Sequence, residues 1–74
     1  MRTIEEYMRL PYRMEIIPDT VEGGFAVRFP ELPGCLTCGD TLEEAVRNAA
    51  DCKKEWLIAA MEEGIFIPEP VSEE

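Results

Sequence analysis

The strongest constraint on the fold lies mid-sequence, where Gly39 precedes Asp40-Thr41-Leu42-Glu43-Glu44 and a long apolar stripe follows. Thr41-Leu42-Glu43-Glu44 has the form of a capping box: the threonine hydroxyl accepts from the N3 amide while the glutamate reaches back. Asp40, Glu43 and Glu44 also suit the positive end of a helix dipole. Leu42, Ala45, Val46, Ala49, Cys52, Trp56 and Ala60 then recur at spacings of three and four, the stripe a helix needs to lie on a sheet. The alanines allow close packing, and Trp56 is expected as a large buried plate over the sheet, its indole N–H needing an acceptor. Gly64 ends the helix.

The sheet this helix requires is sought upstream. Tyr12-Arg13-Met14-Glu15-Ile16 and Phe25-Ala26-Val27-Arg28-Phe29 both alternate apolar and polar, and the segment between them is rich in turn formers. A hairpin follows, with Tyr12, Met14, Ile16, Phe25, Val27 and Phe29 expected on its core face. Pro30-Glu31-Leu32-Pro33-Gly34 should turn the chain, because its prolines cannot donate to a ladder and its glycine can take positive φ. Residues 35–38 read as a short third strand. Residues 3–10 form a short helix with Thr3 as its cap, stopped by Pro11. The predicted class is α+β: a three-stranded antiparallel sheet packed on one main helix, a further short strand, and a short N-terminal helix.

Charge bounds the function. Sixteen acids against seven Lys plus Arg give −9 on 74 residues, with no histidine. A chain this short buries only about 60% of its unfolded surface, so self-association or a partner is expected. The bases are scattered from Arg2 to Lys54, which disfavours direct nucleic-acid binding. No apolar run approaches the roughly 20 residues of a membrane span, and Met1-Arg2-Thr3-Ile4-Glu5-Glu6 does not read as a secretory signal, so a cytoplasmic location is expected. From Glu55 onward there are six acids and no base, which suits either a basic partner or a solvated tail. Glu62 and Glu63 stand where the helix dipole is already negative, beside Leu57, Met61 and Ile65-Phe66-Ile67. These apolar residues fit an interface, and 65–67 equally fit a fourth strand.

The absence of histidine removes Ser-His and Cys-His catalysis. Asp19, Glu31 and Asp40, all in expected loops, are the carboxylates that could hold a magnesium ion in a nuclease. Cys35-Leu36-Thr37-Cys38 is a CxxC, but it lies on a strand rather than at a helix N-terminus. With Cys52 it offers one chain only three of zinc's usual four ligands. Small apolar packing is the expected role of all three cysteines. No cofactor and no metal is expected.

Residues 12–19, then Gly24-Phe25-Ala26-Val27 leading to Pro30-Glu31-Leu32-Pro33-Gly34-Cys35, then Gly39-Asp40-Thr41-Leu42-Glu43-Glu44-Ala45, resemble the HicB-type antitoxin family over nearly the whole chain. Gly64-Ile65-Phe66-Ile67-Pro68-Glu69-Pro70 is similar to that family's G-I-P-I-P-x-P ending, with Phe66 where proline is usual. The resemblance implies a partial ribonuclease H-like fold without catalytic carboxylates. It implies a non-enzymatic protein of a type II toxin-antitoxin system that binds a small basic mRNA-cleaving toxin of the HicA type and covers its active site. It also implies homo-oligomers. A second, DNA-binding domain often follows in this family; residues 1–74 read as a single HicB-like domain without one. The expected partner-binding residues are Glu31, Leu32, Pro33 and Gly34 in the loop, and Glu62, Glu63, Phe66 and Glu69 toward the tail. The competing readings are a stand-alone oligomeric binding module and the metal-dependent nuclease.

Overall fold

A computed structural model of the chain describes residues 2–70. In order, the elements are α1 (Ile4–Arg9), β1 (Glu15–Pro18), β2 (Phe25–Arg28), β3 (Leu36–Gly39) and α2 (Leu42–Glu63). The strands form one antiparallel sheet in the order β1-β2-β3, with Ile16 opposite Val27 and Val27 opposite Thr37. The α+β expectation holds for the sheet and both helices. No helix among the described residues is long and apolar enough to cross a membrane.

Both helices begin as their sequences dictate. Thr3 caps α1 in a complete capping box, the Glu6 amide donating to the Thr3 hydroxyl at 3.2 Å and the Thr3 amide to the Glu6 carboxylate at 2.8 Å. At α2 the Thr41 hydroxyl accepts from the Glu44 amide at 3.1 Å, but the Glu44 carboxylate reaches one residue further back, to the Asp40 amide at 2.7 Å. Gly64, left-handed at φ 69°, ends α2, and the Ile65 amide returns to the Ala60 carbonyl at 2.8 Å.

The helix α2 crosses β2 and β3 on one face of the sheet, and α1 packs on α2. Tyr12, Val27, Phe29, Leu32, Cys35, Ala45 and Ala49 form the core cluster, with Leu10, Phe25, Cys52, Trp56 and Ile67 packed against it. The close approach is demanded by Gly39: a Cβ there would stand 2.5 Å from the Ala45 nitrogen, so only glycine lets β3 run under the first turn of α2.

Five expectations need correction. Met14 and Ile16 are exposed rather than core, because among the described residues α2 covers β2 and β3 but makes no contact with β1, and the β1 part of the face they share with buried Val27 is left uncovered. Leu42 and Val46, at the start of the stripe, are exposed as well, while Leu57, assigned to an interface, is fully buried. Trp56 is half-buried and lies over the 30–34 loop, its Nε1–H donating to the Pro33 carbonyl at 2.7 Å. Residues 65–70 form no ladder strand. Pro68 and Pro70 lack the amides a ladder needs, and the segment is held instead by Ile67 in the core and by the Tyr12 hydroxyl, which donates to the Pro68 carbonyl at 2.6 Å.

Candidate partner-binding surface

The proline-rich loop is a preformed structure. The Leu32 amide donates to the Phe29 carbonyl at 2.9 Å and the Cys35 amide to the Leu32 carbonyl at 3.0 Å, closing two successive turns. Gly34 sits at φ 81°, which a side chain would strain. Leu32 is fully enclosed, so among the expected contact residues it anchors the loop while Pro33 and Gly34 lie exposed on its surface. The Glu31 carboxylate accepts from the Arg13 amide at 2.7 Å. A shallow cleft of about 180 Å³ beside the loop is lined by Arg28, Phe29, Pro30, Leu32, Gly34, Cys35 and Leu36.

The second group of expected residues surrounds the end of α2. Glu62 and Glu63 are exposed in the last turn, and Phe66 is 81% exposed, with Ile65 and Met61 exposed beside it. Glu69 is ion-paired with Arg2, whose guanidinium also lies 5.7 Å from the Tyr7 ring centroid. Tyr12 and Arg13 link the two groups: the Tyr12 hydroxyl holds Pro68, and the next residue's amide holds Glu31. Loop and tail are therefore fastened to one two-residue segment, although 37 positions separate Glu31 from Pro68 in the chain.

The alternative chemistry does not assemble. Asp19 and Asp40 line one surface cleft of about 220 Å³ together with Glu22, but Glu31 is not among its residues and is bound to Arg13. One oxygen of Asp19 is occupied by the Val21 and Glu22 amides at 3.0 and 3.1 Å, so this carboxylate shapes the turn. Among the described residues no three Asp, Glu, Cys or His side chains converge as metal ligands. The CxxC is split by the pleat: Cys35 is buried, whereas Cys38 is exposed and stands opposite Ala26 on the face away from α2. The thiol neighbours are Cys35 and Cys52, 3.8 Å apart, a pairing of strand end with helix that no local motif announces. Burial and the hydrogen bond with Cys52 push the Cys35 thiol up to about 12, which leaves it protonated and inert near neutrality.

Over residues 12–74 the sequence matches a family described as HicB-like antitoxin of bacterial toxin-antitoxin systems. The chain belongs to the HicB-like antitoxin family. The match takes in the 30–35 loop, all of α2 and the tail, the parts from which the candidate surface is built. Antitoxin HicB 1 of Photorhabdus laumondii is 40% identical over 79 aligned positions, covering 99% of this chain but 46% of that protein. This HicB-like chain thus spans about half the length of that antitoxin. A UPF0150 protein of Synechocystis sp. is 38% identical over 72% of the chain and 73% of its own length. A 14.9 kDa protein from the rep-hol intergenic region of Haemophilus phage HP1 is 34% identical over 68% of the chain and 38% of its own length.

Proposed function

We propose that this HicB-like domain is a non-catalytic antitoxin module that binds a small basic mRNA-cleaving ribonuclease of the HicA type and covers its active site. The observation that carries this reading is the distribution of charge. Arg2, Arg28 and Arg47 each carry an ion pair with a carboxylate, whereas Glu55, Glu62 and Glu63 face solvent, the last two just before exposed Ile65 and Phe66 in the chain. An RNA-cleaving partner needs a basic surface to hold phosphates, and an acidic apron with an apolar centre is its complement. The rigid 30–34 loop adds a second, preorganised contact that loses little entropy on binding. The domain works in this reading in the cytoplasm, as a homo-oligomer, on a partial ribonuclease H-like scaffold.

Co-expression with the small basic products of adjacent reading frames tests it. One of them should arrest growth alone, be neutralised by this chain, and co-purify with it at low salt but not at high salt. Absence of both neutralisation and co-purification for every such product overturns the proposal.

A further inference from the structure

The three thiols divide by position rather than by sequence. Cys38 is exposed, whereas Cys35, buried just before β3, meets Cys52 of α2 with 3.8 Å between the sulfurs. Cys52 is half-buried, and its sulfur also lies 3.7 Å from the Leu36 carbonyl. The backbone around the pair is held on both sides. The Asn48 side-chain amide donates to the Cys38 carbonyl at 2.9 Å, and β3 runs so close under α2 at Gly39 that a Cβ would not fit. The pair also stands at the base of the proline-rich loop. The Cys35 amide closes the loop's second turn on the Leu32 carbonyl, and Cys52 lies one helical turn before Trp56, whose indole holds the Pro33 carbonyl. Small volume alone does not call for two sulfurs here, since Ala45 and Ala49 fill neighbouring positions of the same buried stripe.

We infer that Cys35 and Cys52 are a modification site: a low-molecular-weight disulfide oxidises them to a reversible intramolecular disulfide that ties the base of the 30–34 loop to α2. The inference needs only the thiol pair and does not depend on the identity of any partner. From 3.8 Å, about 1.8 Å remains to a bond of about 2.0 Å, a gap that side-chain torsions can span. Cys52 begins the exchange because it is the accessible member. Its thiolate attacks one sulfur of the oxidant, forming a mixed disulfide and releasing one thiol. The Cys35 sulfur then attacks the Cys52 Sγ and displaces the second thiol. Two protein thiols are oxidised, one small disulfide is reduced to two thiols, and the two protein protons end on those products. Burial keeps reagents in solution from reaching Cys35 directly, but it does not separate Cys35 from a sulfur already in contact, where proximity replaces diffusion. The Lys53 ammonium, beside Cys52 in sequence, acts on Cys35 against burial and favours its thiolate. Cys38, on the face away from α2, stays outside this step. Because the bond joins residues 17 apart in sequence, it restricts the unfolded chain, and the oxidised domain resists unfolding.

Incubation of the full chain with oxidised glutathione tests this, in wild type and in Cys38→Ser, which removes the exposed thiol. Trypsin cuts after Arg28, Arg47 and Lys53, so the bond appears as peptide 29–47 joined to peptide 48–53 without retained glutathione. In Cys38→Ser both remaining thiols should disappear, circular dichroism should stay unchanged, and the melting temperature should rise by at least about 5 °C. Reduced glutathione should reverse all three changes. The square of reduced over oxidised glutathione at half-conversion measures how strongly the fold favours the bond, and it should be at least about tenfold higher in buffer than in urea. Wild type should give the same joined peptides with Cys38 open to alkylation after oxidant removal and brief mild reduction, which covers a Cys38→Ser variant that fails to fold. A glutathione adduct that stops at Cys52, a bond no more favoured in the fold than in urea, or a joined chain that melts below the reduced one overturns the inference.

Discussion

Trp56 joins the longest element to the proline-rich loop, and the single hydrogen bond from its indole to the Pro33 carbonyl does this over a sequence separation of 23. Trp56→Phe keeps most of the apolar plate and removes that donor; it should cost about 1 kcal/mol in urea unfolding and loosen the loop's grip on a partner. The cysteines differ more sharply than their shared motif suggests. Exposed Cys38 should react with a thiol reagent in the native protein, while buried Cys35 should react only on unfolding. Cys35 also sets an alkaline limit. Its thiol ionises near 9.0 when solvated and near 12 in the fold, so the unfolded chain releases its proton first. The stabilisation is complete below pH 9 and is lost as pH rises toward 12. Burial, followed by the nearby Glu69 charge, raises the Tyr12 hydroxyl in the same direction. Melting temperature should therefore fall across this window, and more gently in Cys35→Ala.

At the level of elements, α2 carries a conflict between stability and binding. Glu62 and Glu63 sit in a last turn with no basic residue, against the dipole. Glu62→Lys and Glu63→Lys should each stabilise the fold by about 0.3–1 kcal/mol in denaturant melts while weakening capture of a basic partner. Gly39→Ala should instead cost about 1–3 kcal/mol or more by forcing β3 from α2. The helix ends, the hairpin and the proline turn were legible because each is written within a few neighbouring residues: Thr3 with Glu6, Thr41 with Glu44, Pro33 with Gly34. Met14, Ile16 and Leu57 were misplaced because their burial depends on where α2 crosses the sheet, and periodicity does not encode that. At the candidate surface, Phe66, Glu62 and Glu63 are exposed and Leu32 is enclosed, since an apolar residue between two prolines reads alike as anchor or contact. The Cys35 and Cys52 pairing likewise had no local signal.

For the molecule as a whole, an excess of nine negative charges makes encounter with a basic protein fast and salt-sensitive. The association rate should drop by at least about tenfold between roughly 0.05 and 0.5 M salt, as the Debye length shrinks. The clasp made by Tyr12, Pro68, Arg2 and Glu69 has a further consequence for kinetics. The hairpins and the β3–α2 crossing join residues near in sequence, but the clasp closes over separations of 56 and 67 residues. Closing so long a stretch of chain costs entropy before the contact repays it, so these contacts are expected to form after the rate-limiting step. Tyr12→Phe and Glu69→Ala should therefore leave the refolding rate nearly unchanged and accelerate unfolding, so that the clasp governs how long the domain survives a protease rather than how quickly it folds.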